Sequence, residues 1–185
     1  MADNDPAASD PSVALMLRLR AGHEDALDEL VERWQTPLIN FFYRSLGSYG
    51  QSEDLTQMVF IRLYRAAASY EPRARFSTYL FQIARRLLIN EFRLAQRKPL
   101  ESWDPAHLHA VSSSTESRRH AELEELFEQA LHKLPERQRT AILLLKQQEL
   151  SYQEIAKIMD ASESAVKTWI FRARQFLKQE LQDLV

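Results

Sequence analysis

Two stretches of the sequence place cations, mixed with polar or aromatic residues, at spacings that bring them onto one face of a helix. The first set is Arg86, Asn90, Arg93 and Arg97, and the second is Lys167, Phe171, Arg174 and Lys178. In both sets, successive residues are four, three and four positions apart. Residues three and four apart are neighbours on a helix surface. Such faces suit nucleic acid, because cations contact phosphates and rings stack on unpaired bases. The alternative is a solvated basic face with the aromatic residues in the core.

Other chemistries lack the residues that they need. There is no cysteine, and the three glycines do not form a phosphate-binding loop. The five histidines include no HExxH pair, and no GxSxG sequence is present. His107 and His109 could form a two-histidine site, but we expect no metal there. We therefore predict that the chain is not an enzyme and uses no metal, cofactor or small-molecule substrate.

Charge is distributed unevenly along a chain whose formal net charge is only −2. Residues 62–98 contain nine basic and two acidic residues, whereas residues 99–136 contain three basic and eight acidic ones. A second basic stretch, from Ser164 to Lys178, has four cations and no acid. Basic segments separated by an acidic one predict two separate contacts with a polyanion.

Periodic apolar residues predict an all-α fold of two small helical domains. Residues 1–11 are expected to be disordered, and residues 12–97 to form the first domain. Residues 98–118 have the composition of a linker, and residues 119–185 should form the second domain. The N-terminus lacks the parts of a signal peptide, and no stretch is apolar enough to span a bilayer. We therefore expect a soluble cytoplasmic protein without membrane insertion.

Local signals predict where the helices of the first domain begin and end. Pro37 should bend or split a helix over residues 23–46, and Ser52 should cap the next helix. A loop over residues 69–75 then precedes a long helix over residues 76–97. The core side of this last helix is assigned to Leu80, Ile83, Ala84, Leu87 and Leu94.

The second domain ends in a predicted helix-turn-helix. Ser151 should cap a short helix, with Glu154 at the capping-box position, and Ser162 should cap the last helix after a turn at Asp160. The core stripe of the last helix is assigned to Val166, Ile170, Ala173 and Leu177. A helix presented in this way can enter the major groove of DNA. An ordinary α-hairpin with a basic solvated face is the alternative.

The order and spacing of several motifs resemble the extracytoplasmic-function (ECF) group of bacterial sigma factors. The matching segments are RAGHEDALDELVERW (20–34), SEDLTQMVFIRLYRA (52–66), FSTYLFQIARRLLINEFR (76–93), LPERQRTAILL (134–144) and SYQEIAKIMDASESAVKTWIFRAR (151–174). The sequence departs from the family at Tyr79, where Trp is usual, and at Arg86 and Asn90, where Asn and Asp are common. Ala165 stands where Gly is frequent. These departures concern promoter preference more than family membership.

The resemblance implies sigma region 2 and sigma region 4, joined by a flexible acidic linker. Such a factor binds core RNA polymerase at the clamp helices of its largest subunit and at the flap, and directs it to promoters. Region 2 would read and melt the −10 element, holding an unstacked base in a pocket, and region 4 would read the −35 duplex. The linker would occupy the RNA channel of the polymerase or serve only as a solvated tether.

The motifs and the resemblance together assign residues to each contact. Contact with the −10 element and melting are assigned to Arg73, Arg75, Phe76, Tyr79, Arg86, Asn90, Arg93 and Arg97. Contact with the −35 element is assigned to Ser164, Lys167, Thr168, Trp169, Phe171, Arg172, Arg174 and Lys178. Binding to core polymerase is assigned to Asp54, Gln57, Phe60, Ile61 and Tyr64. Phe60 could instead belong to the core.

The resemblance also implies an anti-sigma factor, which can hold such a protein at the inner membrane. Two rival functions remain open. A stand-alone helix-turn-helix regulator would bind duplex DNA without polymerase, and a helical interaction module would bind no nucleic acid. Adding the protein to core polymerase and measuring specific initiation separates all three.

Overall fold

The computed structural model describes residues 10–95 and 115–182, with side chains for residues 10–94 and 123–182. These parts of the chain contain eight α-helices, one 3-10 turn (Ala67–Ser69) and no strand, which confirms the all-α prediction. The helices are α1 (Pro11–Arg20), α2 (Asp25–Leu46), α3 (Tyr49–Ala66), α4 (Phe76–Ala95), α5 (Thr115–Lys133), α6 (Glu136–Gln147), α7 (Tyr152–Met159) and α8 (Glu163–Gln182). We call α1 to α4 the N-terminal bundle and α5 to α8 the C-terminal bundle.

The start of α3 differs from the prediction. Ser48, not Ser52, is the N-cap: its backbone is extended and its side chain accepts a hydrogen bond from the Gln51 amide. Ser52 is buried one turn later, and its hydroxyl donates to the Ser48 carbonyl at 2.6 Å. Glu53 and Asp54 follow Ser52 directly, which favoured Ser52 in the sequence, whereas the first turn after Ser48 contains no acidic residue.

Of the two outcomes predicted for Pro37, a bend or a split, the split does not occur, and one further helix start differs from its prediction. Pro37 lies inside α2, which continues through it as a single helix, because Leu30, Leu38 and Phe41 are fully buried on both sides of the proline. Tertiary packing therefore outweighs the hydrogen bond that proline removes. The helix expected near Arg119 begins at Thr115.

Asp10 belongs to the segment that was expected to be disordered, but it connects the starts of two helices. Its carboxylate accepts a hydrogen bond from the Ser12 amide at the start of α1 and another from the Phe76 amide at the start of α4, each at 2.9 Å. Residues 1–9 lie outside the described residues. The carboxylate therefore stabilises the position of α4, and with it the loop that precedes α4.

The core of the N-terminal bundle is aromatic. Phe41 and Phe81 meet edge to face with ring centroids 5.2 Å apart, and Trp34 packs against Phe76 at 5.7 Å. Leu80, Ala84 and Leu87 are buried as predicted, and Ile83 is partly buried against the same core. Leu94 is the exception: half of it is exposed near the end of α4, where the core has ended.

The C-terminal bundle confirms the predicted helix-turn-helix. Ser151 and Glu154 form both hydrogen bonds of a capping box at the start of α7. Asp160 ends α7 in the left-handed region, with φ 50°, a conformation that Asp adopts more readily than most residues. The predicted core stripe of α8 (Val166, Ile170, Ala173 and Leu177) is buried.

The two bundles pack against each other. Helix α7 lies on α4, and α5 and α6 lie on α2. Among the described residues, no helix combines the length and the apolar character needed to cross a membrane.

Candidate nucleic-acid and polymerase interfaces

A cavity of about 590 Å³ lies beside the loop between the 3-10 turn and α4. Tyr70 and Tyr79 line it, and their ring centroids are 5.1 Å apart. Burial, with the nearby charge of Asp10, raises the pKa of Tyr70 to about 12, and burial also raises the pKa of Tyr79. Both phenols are therefore neutral at physiological pH. Thr78 and Gln82 add polar groups to the lining, so the cavity has the size and mixed character of a ligand pocket.

Cations lie exposed on the loop and on α4. Arg73 pairs with Glu71 at 2.5 Å and stays largely in solvent, and the side chain of Arg75 is about half exposed. Among the residues assigned to the −10 element, the exposed ones are Arg73, Arg75, Arg86, Asn90 and Arg93. This surface can contact phosphates through guanidinium groups that have several donors each.

Phe76 differs from the exposed residues assigned to the −10 element. Phe76 is fully buried against Trp34, so its ring cannot stack on a base, and the alternative of a core aromatic residue is the correct one. Its backbone amide, held by Asp10, instead positions the start of α4. Arg97 lies outside the described residues.

Arg85 and Lys157 are functional candidates that the sequence did not reveal. Arg85 is buried on α4, where its guanidinium contacts the Glu136 carboxylate at 2.7 Å and burial lowers its pKa. The only indication of Arg85 in the sequence was its position in a basic helix. It lies one residue before Arg86, the first of the cations that share one face of that helix. Lys157 reaches the cavity from α7, and no local pattern predicts a contact between bundles.

A groove between α2 and α3, with a volume of about 860 Å³, is lined by three of the residues assigned to core polymerase: Phe60, Ile61 and Tyr64. Ile61 and Tyr64 are 42% and 47% exposed, respectively, and Asp54 and Gln57 are also exposed on α3. The Tyr64 hydroxyl donates to the Glu24 carboxylate at 3.1 Å, and this hydrogen bond raises the pKa of Tyr64. Phe60 is buried at the base of the groove. An exposed apolar strip with an acidic rim is typical of a protein-docking surface.

Helix α8 presents most of the residues assigned to the −35 element. Ser162 caps it by accepting a hydrogen bond from the Ala165 amide at 3.2 Å. Phe171 is 62% exposed, which is unusual for a large aromatic side chain. The exposed members of the assignment are Ser164, Lys167, Thr168, Phe171, Arg172, Arg174 and Lys178.

Trp169 and Lys167 have partners within the bundle. The guanidinium of Arg137 on α6 lies 5.6 Å from the centroid of the partly buried Trp169 ring. Lys167 pairs with Glu163 at 2.7 Å, and this hydrogen bond raises the pKa of Lys167. Because the Lys167–Glu163 pair is exposed, it is weak and can exchange for a contact with DNA.

The described residues contain no group of three or more histidine, aspartate and glutamate side chains arranged to hold a metal ion.

Comparisons with known proteins identify a family for each of two segments of the chain. Residues 30–98 match the family described as Sigma-70 region 2, and residues 124–177 match the family described as Sigma-70, region 4. The ECF RNA polymerase sigma-E factor of Haemophilus influenzae is 32% identical over 182 residues, covering 93% of this chain and 96% of that protein. The ECF sigma factor SigW of Bacillus subtilis is 31% identical, covering 90% and 95%.

Solved structures share the fold. CnrH, in complex with the cytosolic domain of CnrY, superposes with a TM-score of 0.67 at 24% identity, covering 92% of this chain and 96% of CnrH. The sigma factor RpoE of Bartonella quintana, in complex with the anti-sigma factor NepR, superposes with a TM-score of 0.68 at 23% identity, covering 86% and 98%. From the two family matches and the full-length relatives, the chain belongs to the ECF group of sigma-70 factors, which direct RNA polymerase to promoters.

Proposed function

We propose that the loop before α4 and the exposed side of α4 contact the −10 element. The phosphate contacts are assigned to Arg73, Arg75, Arg86, Arg93 and Arg97. Asn90 would contact a base edge, and the cavity lined by Tyr70 and Tyr79 would hold one unstacked base of the melted strand. Exposure of the cations beside an aromatic cavity supports this assignment. Binding energy, not catalysis, would drive melting, as expected of an initiation factor.

Helix α8 is assigned to the −35 duplex. Base contacts would come from the first turns of the helix, and phosphate contacts from the turns that follow. The residues assigned to these contacts are Ser164, Lys167, Thr168, Phe171, Arg172, Arg174 and Lys178. Trp169 is assigned a positioning role, because it lies partly buried beneath Arg137.

The groove between α2 and α3 is assigned to the clamp helices of the largest polymerase subunit. Asp54, Gln57, Ile61 and Tyr64 would make the contact, with Phe60 supporting them from below. The exposed apolar side chains on α3 support this assignment. The C-terminal bundle would bind the flap, and residues 98–118 would follow the RNA channel.

An anti-sigma factor is proposed as the regulatory partner. CnrH and the Bartonella RpoE have each been solved with a protein of this kind or with its cytosolic domain. For this chain, such a partner would hold the factor in the cytoplasm or at the inner membrane until a signal releases it.

The exposed row on α8, opposite its buried stripe, is the observation that carries the proposal. Core polymerase with the purified chain should initiate from a promoter that has both elements, and scrambling either element should abolish initiation. Core polymerase alone is the control. Tight, sequence-specific binding of the isolated chain to the duplex, without stimulation of initiation, would instead identify a stand-alone regulator.

A further inference from the structure

Helix α1 forms hydrogen bonds to both ends of the loop over residues 70–75, which precedes α4. At the start of the loop, Nη1 of Arg20 donates to the Tyr70 carbonyl at 2.9 Å. At its end, the Phe76 amide donates to the Asp10 carboxylate, also at 2.9 Å. Asp10 is the N-cap of α1 and Arg20 is its last residue, so the two contacts come from opposite ends of one ten-residue helix. The contacts join positions that are 50 and 66 residues apart in the chain.

Helix α1 is itself fixed on the N-terminal bundle. Its buried apolar residues are Val13, Leu15, Met16 and Leu19. The Ser12 hydroxyl accepts a hydrogen bond from the Trp34 indole at 3.0 Å. Arg18 pairs with Glu29 at 2.8 Å and also with Asp25, and both acids lie on α2. Because α1 is packed against α2 and bonded to it, α1 can hold the loop in one position relative to the rest of the bundle.

The backbone groups that α1 holds belong to residues that place the aromatic side of the cavity. Tyr70, whose carbonyl is bound by Arg20, is almost fully buried and lines the cavity. Phe76, whose amide is bound by Asp10, lies beside Tyr79 with ring centroids 6.5 Å apart. A shift at either contact would therefore move one of the two tyrosine rings relative to the other.

Apart from its contacts with α1, the loop has only local backbone hydrogen bonds in the part of the chain that the structure describes. One of them runs from the Arg73 amide to the Glu71 carbonyl at 2.9 Å. A loop loses conformational entropy when it is ordered, and a loop that is fixed before binding has already lost it. The two contacts with α1 therefore prepare the loop, and the cavity beside it, for a bound strand.

We propose that α1 is a brace for promoter recognition, in which Asp10 and Arg20 are positioning residues that hold the loop before α4 in the shape needed to select an unstacked base of the −10 strand. This inference rests on the proposed contact of that loop with the −10 element. It extends the proposal to a helix that precedes residue 30, where the match to Sigma-70 region 2 begins, and that is assigned to no contact with DNA. The brace acts on base selection through the loop and not through a phosphate.

Asp10→Asn and Arg20→Met test the two ends of the loop separately. Asparagine is as good an N-cap as aspartate, so α1 is retained, but its side chain has one acceptor oxygen where aspartate has two. The two carboxylate oxygens of Asp10 accept from different amides, so keeping the bond to Ser12 leaves the Phe76 amide without its acceptor. Methionine keeps an apolar stem in place of Arg20 but has none of its donors.

Each variant has a matched control. Arg18→Met removes a cation from the same helix but breaks contacts with α2 instead of the loop. Glu32→Gln removes one negative charge from the exposed surface of α2, as Asp10→Asn does from the start of α1. Exposed ion pairs contribute little to stability, so both controls should fold. Circular dichroism checks that every variant is folded, and urea denaturation gives its stability.

Base selection is measured on holoenzyme formed from core polymerase and the full chain. A pool of single-stranded DNA with a run of randomised positions is enriched on the parent holoenzyme to give a preferred strand. Fluorescence anisotropy then gives the affinity for that strand and for its single-base variants at several salt concentrations. In both test variants, the affinity ratio between the preferred strand and its most strongly rejected variant should fall by about fivefold, the scale of one hydrogen bond. The slope of log affinity against log salt concentration should match that of the parent, and the controls should keep the parental ratio within about twofold.

The outcomes separate the brace from the proposed function. A folded Asp10→Asn or Arg20→Met holoenzyme with the parental ratio would overturn the brace, and the −10 assignment would stand if Asn90→Ala still lowered the ratio. A parental ratio in Asn90→Ala as well would overturn both. In Arg20→Met, weaker binding to every strand with a salt slope reduced by about one would identify a direct phosphate contact and overturn the brace. An equal fall of the ratio in either control would also overturn it, since loss of charge or a general loosening of α1 would then explain the change.

Discussion

The guanidinium of Arg137 on α6 lies over the indole ring of Trp169 on α8, with its Cζ atom 5.6 Å from the ring centroid. This contact ties the recognition helix to the helix behind it. A cation and an aromatic ring in this geometry attract each other, and the ring also gains from partial burial. Trp169 therefore fixes the orientation of the exposed side of α8 relative to α6.

Replacing Trp169 should change stability more than base preference. We expect Trp169→Ala to lower the free energy of unfolding by about 2 kcal/mol, less than for a fully buried ring. Phe171→Ala should have little effect on stability, because Phe171 is 62% exposed, but it should weaken binding to the −35 element. Urea denaturation and initiation on −35 variants measure the two effects. A folded Trp169→Ala protein with altered base preference would contradict the positioning role.

Individual cations of α8 should differ in what they recognise. If Lys167 and Arg172 contact base edges, replacing either with alanine should weaken binding to the −35 element by about 1–3 kcal/mol. Each substitution should also reduce the preference for a particular base at one base pair. Lys178→Ala should weaken binding to all DNA sequences equally. It should also reduce, by about one, the magnitude of the slope of log affinity against log salt concentration. Initiation by reconstituted polymerase on a panel of single-base −35 variants distinguishes these effects. Unchanged base preference and rate in both Lys167→Ala and Arg172→Ala would mean that α8 is not the reading helix.

Substitutions of exposed residues on α3 should weaken binding to polymerase without affecting folding, whereas substitution of a buried residue should affect folding. Gln57→Ala combined with Ile61→Ala should weaken affinity for core polymerase by about tenfold and leave the fold intact, because both side chains are exposed. Phe60→Ala should instead lower stability by about 3 kcal/mol, because its ring is buried.

Gln51→Ala is the matched control for the α3 surface, since Gln51 is exposed, lies six residues before Gln57 and is not assigned to polymerase. Polymerase affinity is measured by competition, and folding by circular dichroism. A folded Gln57/Ile61 double variant with full affinity would refute the contact.

Features with a local cause were predictable from the sequence, whereas contacts between distant segments were not. The capping box of Ser151 and Glu154 depends on four consecutive residues and was predicted correctly. Phe76 was misassigned because an aromatic residue next to arginines fits either a core or a base-stacking site, and only its packing against Trp34 decides. The pairing of Arg85 with Glu136 has no periodicity, because it depends on how the two bundles dock.

Two titrating side chains on α5 should make stability depend on pH in opposite directions. Glu128 is buried beside Arg44, and burial raises its pKa to about 7 despite that cation. One turn later, burial and the charge of Arg139 lower the pKa of His132 to about 4. Arg139 contacts His132 Nδ1 at 2.8 Å, and since arginine only donates, this nitrogen accepts and the ring is neutral.

The sign of each effect follows from linkage. Folding raises the pKa of Glu128, so protonation of this carboxyl group favours the folded state. Its contribution to the free energy of unfolding is complete below about pH 4.5 and is lost as the pH rises to about 7. Relative to the parent chain, Glu128→Gln should therefore gain stability between pH 4.5 and 7, by about 3 kcal/mol in total. Folding lowers the pKa of His132, so the neutral ring favours the folded state. Its contribution to the free energy of unfolding is complete above about pH 6.5 and is lost as the pH falls to about 4. His132→Gln should accordingly gain stability relative to the parent on acidification, the opposite trend. Urea denaturation at several pH values from 4.5 to 7.5 measures both differences, and curves that run parallel to the parent would show that neither group titrates with folding.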